Sequence, residues 1–173
     1  MIPCSTERLI LREFSLNDAP FVYELLNSAG WLQYIGDRTI RSIEDAQLYI
    51  EKHYLPSYVT NGYGAYIVSL KSTGELIGSC GLYKRDTLDH PDIGFAFLKK
   101  FWHMGYAYEA ASTIVKFATE ELGFQTILGI TMPDNKSSIK LLEKLGLQKI
   151  DTIRMGEEDE ELLLFSYNSM PEK

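Results

Sequence analysis

One stretch of the chain, residues 92–147, constrains the fold more than any other. A strand pattern, Asp92-Ile-Gly-Phe-Ala-Phe-Leu98, runs into the turn Trp102-His-Met-Gly-Tyr-Ala107, and that turn opens a long helical pattern ending at Gly123. A second strand and a shorter helix complete the stretch. A strand that enters a helix through a tight turn presents backbone N–H groups and a helix N-terminus to an anion. The sequence therefore predicts an anion-binding turn, and we expect the anion to be a pyrophosphate.

The turn pattern by itself does not distinguish an anion site from an ordinary connection between a strand and a helix. Gly105 and Ala107 are small, as close approach of a ligand to the backbone requires. The turn is not a Walker A loop, because no Gly-Lys-Ser/Thr is present, and it lacks the Gly-x-Gly-x-x-Gly fingerprint. A nucleotide-binding protein of the P-loop or Rossmann class is therefore the less favoured alternative.

The periodicity of the whole chain predicts the order β-α-α-β-β-β-α-β-α-β-β. This order is typical of a mixed α/β (α+β) domain built around one twisted sheet. Ser15 and Ser42 each precede an aspartate by three positions, a capping pattern that marks two helix starts. We expect residues 27–41 to form a loop and the second helix to end before Pro56. The length is that of a single domain, residues 1–173.

Charge and cysteine usage limit the classes of partner. The formal net charge of -7 argues against non-specific nucleic-acid binding and suits a cationic acceptor, although local groups decide whether an anion binds. The N-terminus lacks the apolar core of a signal peptide, and no apolar run approaches the ~20 residues of a membrane span. Cys4 and Cys80 lie far apart and in no metal-ligand spacing. We expect a cytoplasmic protein with reduced thiols, no metal, and no membrane or nucleic-acid partner, as a monomer or a homodimer.

Five motifs spread over nearly the whole chain carry a resemblance to a known family. They are Thr6-Glu-Arg-Leu-Ile-Leu-Arg12, Gly74-Glu-Leu-Ile-Gly-Ser-Cys-Gly81, Ile93-Gly-Phe95, Trp102-x-x-Gly-Tyr-Ala107 with Glu109-Ala110, and Asn135-x-x-Ser138 with Glu143-Lys-x-Gly146. In this order they resemble the GNAT superfamily of N-acetyltransferases, and within it the RimJ/RimL-type branch.

The resemblance implies a fold and a cofactor site. The fold would be a mostly antiparallel twisted sheet of about seven strands flanked by about four helices, with strands four and five splayed apart. Acetyl-CoA would lie between those two strands, and Asn135 would hydrogen-bond its pantetheine arm. The remaining cofactor contacts would come from strand-four backbone at Phe95, Ala96 and Phe97 and from N–H groups of the turn at His103, Met104, Gly105, Tyr106 and Ala107.

The resemblance also implies an activity, the transfer of the acetyl group from acetyl-CoA to a primary amine by direct attack. The amine would be a protein N-terminus or a small molecule. An amine is mostly protonated at neutral pH, so it must lose a proton before it attacks. Asp92 matches the family's acidic residue before Ile-Gly-Tyr/Phe and is the first candidate for the base, and His90 is the second. The alternative for Asp92 is a strand-end residue that faces solvent.

Two positions depart from the family pattern. Many relatives carry a tyrosine, assigned to protonate the leaving thiolate, where this chain has Leu142. The RimJ/RimL-type branch has a serine at the position of Ser138, and the resemblance therefore assigns the acid role to Ser138. Trp102 replaces the usual Arg or Gln, so backbone groups would contribute more to phosphate binding.

A non-catalytic acyl-CoA-binding sensor or interaction module is the alternative function.

Three further residues lie in the loop between the first two helices, Trp31, Tyr34 and Arg38. In the family this loop forms a wall of the acceptor site, and packing of its aromatic side chains onto the sheet is the alternative.

Glu109 lies in the first turn of the long helix, where a carboxylate is stabilised by the helix dipole, and we expect it to be structural.

Overall fold

The structure is a computed structural model that describes residues 4–156 and 159–168. One sheet of eight strands forms its centre, in the order β1-β2-β3-β4-β5-β6-β8-β7. The strands are β1 Cys4–Ser5, β2 Leu9–Glu13, β3 Ala65–Leu70, β4 Leu76–Tyr83, β5 Asp92–Phe97, β6 Thr126–Thr131, β7 Gln148–Met155 and β8 Glu160–Asn168. Neighbouring strands are antiparallel except β5 and β6, which are parallel. The predicted mixed, mostly antiparallel sheet is confirmed, with one strand more than expected.

Helices cover both faces of this sheet. They are α1 Ala19–Leu26, α2 Ala29–Tyr34, α3 Ile43–Tyr49, α4 Leu55–Asn61, α5 Tyr106–Lys116 and α6 Lys136–Lys144. Alternate residues of β3 show the two layers, because successive side chains of a strand point to opposite faces. Ala65 and Ile67 pack in the layer of α1 to α4, while Tyr66 and Val68 pack in the layer of α5 and α6.

The predicted capping pattern places both helix starts correctly. The Ser42 hydroxyl accepts a hydrogen bond from the Asp45 backbone N–H at 3.0 Å and begins α3. Asp18 Oδ2 accepts from the Ser15 backbone N–H at 2.8 Å, and this box opens a 3₁₀ turn that leads into α1. Arg12 donates two hydrogen bonds of 2.9 Å to the Asp18 carboxylate and links β2 to the same corner.

Two expectations about the first half of the chain are wrong. Residues 27–41 are not all loop, since they contain α2, whose six residues are too few for a clear periodic signal. The helical path also continues beyond Pro56 to Asn61. A wide π-helical turn, Ile50–Tyr54, precedes α4, and Pro56 then occupies the first turn of α4, where its missing N–H breaks no intrahelical hydrogen bond.

The junction of β5 and β6 confirms the predicted splay. The two strands share one paired position, Asp92 with Leu128, and the Leu128 N–H donates to the Pro91 carbonyl at 2.8 Å. Beyond this point the strands separate, so the edge of β5 that faces β6 has no strand partner in the described part of the chain. Backbone N–H and C=O groups in a sheet require hydrogen-bond partners. The open edge therefore creates a slot in the middle of the sheet.

Candidate functional site

The turn between β5 and α5 lies at the open end of this slot. His103 and Gly105 adopt positive φ angles of 62° and 82°, and α5 begins at Tyr106. Within the described residues, no group accepts a hydrogen bond from the backbone N–H groups of residues 103–107. Free N–H groups at a helix N-terminus carry a partial positive charge. The turn can therefore bind an anion, as its sequence pattern predicts.

A brace from the segment just before β2 and from α5 holds the turn in place. Arg8 Nη1 donates to the Met104 carbonyl at 3.0 Å, and the guanidinium lies 4.5 Å from the centre of the Tyr106 ring. Arg8 Nε donates to Glu109 Oε2 at 2.7 Å, while the Arg8 backbone N–H and the Thr6 hydroxyl donate to Glu109 Oε1. Glu109 therefore has the structural role expected from its position.

Hydrogen bonds keep Glu109 ionised in this brace. Burial by itself would raise the pKa of Glu109, but the hydrogen bonds from Thr6 and Arg8 outweigh burial and lower the pKa. Sequence reasoning missed Arg8, which is 101 residues away from Glu109 along the chain. No pattern in a single sequence pairs residues at that separation. The structure thus brings the cation Arg8 to the turn from the segment just before β2, although the turn itself begins with Trp102.

Trp102 anchors the other side of the turn. Its indole Nε1 donates to the Phe97 carbonyl at 2.8 Å, which fixes the turn to the end of β5. The ring also lies against α2, where a Cβ at Gly30 would come within 2.6 Å of it. Trp102 already occupies one acceptor position of the Phe97 carbonyl. A carbonyl oxygen has two lone pairs, so Phe97 can still accept a second hydrogen bond.

Asn135 and Ser138 lie on the opposite side of the slot, at the start of α6. Asn135 Oδ1 accepts from the Ser138 backbone N–H at 3.2 Å and caps the helix. This contact leaves the Asn135 side-chain amide free to donate to a ligand. Ser138 is half-buried and precedes Leu142 by one helical turn, so the two side chains share a helix face. Leu142 packs onto β6, where a Cβ at Gly129 would lie 2.7 Å from its Cδ2.

Asp92 is buried at the closed end of the slot. Its side chain is 1% exposed, and Arg85 Nε donates to Asp92 Oδ1 at 2.9 Å. Burial raises the pKa of Asp92, and the opposing effect of Arg85 does not cancel this increase. The alternative of a strand-end residue that faces solvent is therefore wrong for Asp92. His90 is exposed in the turn before β5.

Asp92 and Ser138 belong to opposite layers of the molecule. Asp92 is paired in register with Tyr83, whose ring packs against the layer of α1 to α4. Ser138 belongs to α6, which packs with α5 on the other face of the sheet. The two residues can therefore approach a group in the slot from opposite sides.

The three residues of the α1–α3 connection have different environments. Trp31 is 7% exposed and packs in the layer of α1 to α4, so the packing alternative is confirmed for Trp31. Its Nε1 and the Tyr54 hydroxyl are buried polar atoms that have no hydrogen-bond partner in the described chain. Tyr34 is half-buried and Arg38 is exposed, so a role for these two residues at an acceptor site stays a prediction.

Asp92 and Asp18 should give opposite pH dependences of stability. Burial raises the folded-state pKa of Asp92. The contribution of Asp92 to folding stability is therefore largest below its ordinary pKa of 3.8, and it declines as the pH rises through the raised pKa. Burial would also raise the pKa of Asp18, but hydrogen bonds from Arg12 and Ser15 lower it. The contribution of Asp18 to folding stability therefore declines as the pH falls below its ordinary pKa of 3.8. We expect the free energy of unfolding of the wild type, relative to Asp92→Asn, to decrease with rising pH.

The matched variant Asp18→Asn serves as the control for this measurement. Relative to Asp18→Asn, the wild type should lose stability as the pH falls. Urea unfolding of the three proteins between about pH 3 and 7 gives both differences. If both differences in the free energy of unfolding, wild type minus each variant, changed with pH in the same direction, the raised pKa of Asp92 and the lowered pKa of Asp18 would not both be correct.

Comparison with known proteins finds relatives over most of the chain. Residues 8–148 match the family described as the Acetyltransferase (GNAT) domain. The uncharacterized N-acetyltransferase YnaD of Bacillus subtilis is 29% identical over 147 residues, which cover 84% of this chain and 82% of YnaD. The crystal structure of an acetyltransferase from Agrobacterium tumefaciens is 25% identical and superimposes with a TM-score of 0.81, covering 97% of this chain and 95% of that chain.

A further solved structure shares the fold at low identity. RimL, a ribosomal L7/L12 alpha-N-protein acetyltransferase in complex with coenzyme A, superimposes with a TM-score of 0.82 at 14% identity, covering 97% of this chain and 98% of that chain. The family match includes β5, the turn, α5, β6 and α6, which are the elements that form the slot. The protein therefore belongs to the GNAT family and is an acetyltransferase.

Proposed function

We propose that the protein transfers the acetyl group of acetyl-CoA to a primary amine by direct attack of the amine on the thioester. The observation that carries this proposal is the slot between β5 and β6, which share a single paired position, Asp92 with Leu128. We also place the protein in the RimJ/RimL-type branch. Ser138 and Leu142 at their positions in α6 support this placement.

The residues around the slot fit acetyl-CoA. A pantetheine arm is extended and contains amide groups, so it can pair with the open edge of β5 at Phe95, Ala96 and Phe97. The Asn135 side-chain amide would donate to the arm from the other side. The N–H groups of His103, Met104, Gly105, Tyr106 and Ala107 would hold the pyrophosphate at the N-terminus of α5.

Asp92 and Ser138 are suited to the two proton transfers of this reaction. Acetyl-CoA supplies an acyl group activated as a thioester. Asp92 would accept a proton from the amine, and its raised pKa makes it a stronger base than an exposed aspartate. As the nitrogen–carbon bond forms and the carbon–sulfur bond breaks, Ser138 would donate a proton to the leaving sulfur, and the second proton lost by the nitrogen would restore the Ser138 hydroxyl through solvent. Ser138 lies in the first turn of α6, where the helix dipole stabilises negative charge.

A turnover assay tests the proposal directly. The full chain is incubated with acetyl-CoA and a panel of primary amines that includes peptide N-termini, polyamines and amino acids. We expect release of free thiol that depends on the amine, together with the acetylated amine as product. Tight binding of CoA without turnover across the whole panel would contradict the proposal and indicate an acyl-CoA-binding sensor.

Gly105→Val should weaken CoA binding through the shape of the turn. Gly105 has a φ of +82°, and an added Cβ would lie 3.3 Å from the Arg8 guanidinium. The substitution therefore strains the backbone and disturbs the brace. We expect the Kd for CoA to rise by about tenfold or more, equivalent to about 1.4 kcal/mol. Titration calorimetry measures this change.

Gly123→Val is the matched control for Gly105→Val. Gly123 also has a positive φ, +73°, but an added Cβ there would meet no atom within 4 Å. Both variants should lose stability, whereas only Gly105→Val should lose CoA affinity. Equal CoA affinities in the two folded variants would contradict the proposal that the pyrophosphate binds at this turn.

Ser138→Ala should lower turnover without lowering CoA affinity. General acid catalysis typically contributes about 10²-fold or more, so kcat should decrease by roughly that factor. Ser137→Ala is the control, because Ser137 is the preceding residue and is exposed. Steady-state kinetics and CoA titration separate the two effects. A kcat for Ser138→Ala equal to that of Ser137→Ala would exclude Ser138 as the acid.

A further inference from the structure

We propose that the amine acceptor is a small molecule that also carries an anionic group, a carboxylate or a phosphate, and that it binds in a cavity between α4 and the end of β4. We call this space the acceptor cavity. The inference rests on the proposed function, since it names the acceptor of the same acetyl transfer.

The acceptor cavity has a volume of about 600 Å³. Pockets for small ligands typically have volumes of roughly 300–1,000 Å³. One wall is the helical segment from Lys52 to Asn61, and the other is formed by Gly64 and Ala65 at the start of β3 and by the end of β4. The cavity is therefore large enough for an amino acid or a small phosphorylated amine.

Tyr83 lies between the acceptor cavity and β5. It lines the cavity and is paired in register with Asp92 on β5. Its ring covers Gly94, where a Cβ would come within 2.5 Å of Tyr83 Cε2. Arg85, which pairs with Asp92, lies 5.6 Å from the centre of the Tyr83 ring. One side chain thus lies between the cavity and the β5 backbone at Gly94.

The direction of the slot also places the acceptor in this cavity. The proposed pyrophosphate turn follows Phe97 at one end of β5, whereas Asp92 is at the other end. The end of β4 and the start of β3 lie at the Asp92 end, because β4 is antiparallel to both neighbours. An amine in the cavity would therefore reach the thioester from the side opposite to the phosphates.

The charges that line the cavity favour an anionic group. Lys52 and Lys84 line it. Neither forms an ion pair with a described residue. Asp86 is the acidic residue among the lining side chains. His53 also lines the cavity, and burial, together with the charges of Lys52 and Arg38, lowers its pKa, so it is mostly neutral at neutral pH. Two lysines against one aspartate leave the cavity positive in a protein whose formal net charge is -7.

This local charge reverses the expectation drawn from the net charge of the chain. A polyamine would place several positive charges beside Lys52 and Lys84, where like charges repel. An amine with a carboxylate or phosphate can instead form charge-assisted hydrogen bonds with the two lysines. Its amine end would then extend past Tyr83 towards Asp92.

Matched acceptor pairs test the inference. Glycine is compared with glycinamide, and phosphoethanolamine with ethanolamine, so that each pair differs in its anionic group. We expect kcat/KM to be about tenfold or more higher for the anionic member of at least one pair, equivalent to about 1.4 kcal/mol. The two pairs distinguish a carboxylate from a phosphate. Equal or higher kcat/KM for the members that lack the anionic group in both pairs, or for spermidine, would overturn the inference.

Charge-reversal variants test whether the preference for an anionic acceptor arises in the acceptor cavity. Lys52→Glu with Lys84→Glu should abolish the preference for the anionic acceptor and leave the Kd for CoA unchanged. The control is Lys149→Glu with Lys136→Glu, which changes the net charge by the same amount at two exposed positions outside the cavity. An unchanged preference in the cavity variant would overturn the inference.

A binding measurement separates failure of the inference from failure of the proposed function. Glycine and phosphoethanolamine are titrated into the CoA complex of the wild type and of the cavity variant. Binding that only the cavity variant loses supports the acceptor cavity even if no amine is acetylated, in which case the proposed function alone fails. No binding of either compound to the wild type would overturn the inference whatever the turnover assay gives.

Discussion

The single backbone pairing between β5 and β6 is the constraint on which the rest of the structure depends. At Asp92 and Leu128 the sheet is continuous, and beyond that point the edge of β5 lacks a strand partner in the described chain. A buried backbone edge is unfavourable unless another group satisfies it. The fold therefore has a built-in position for an extended ligand with its own N–H and C=O groups, and the catalytic candidates lie around that position.

The turn at the open end of the slot is held from two sides by contacts distant in sequence. Arg8 and Glu109 link it to β2 and α5, and Trp102 links it to the end of β5. Exposed ion pairs contribute little to stability, typically about 0–1 kcal/mol. The brace therefore matters for the shape of the turn, because its N–H groups must converge on one anion.

Much of the fold was predictable because its signals are local. The capping serines, the helical spacing of α5 and the small residues of the turn each act within a few residues, and the structure confirms the elements that they predict. The errors arose where local signals were short or ambiguous. Helix α2 has only six residues, and Pro56 predicts a helix end, whereas the wide turn Ile50–Tyr54 before it leads into α4.

The sequence by itself determined the order of most strands and helices, the family motifs and the residue types that can bind phosphate or move a proton. Only the tertiary structure decided the environment of those residues. Asp92 is buried beside Arg85, Arg8 lies at a turn near residue 105, and Lys52 and Lys84 line one cavity. Proton affinity and charge recognition depend on burial and on neighbours within a few ångströms, and folding brings those neighbours together from distant parts of the chain.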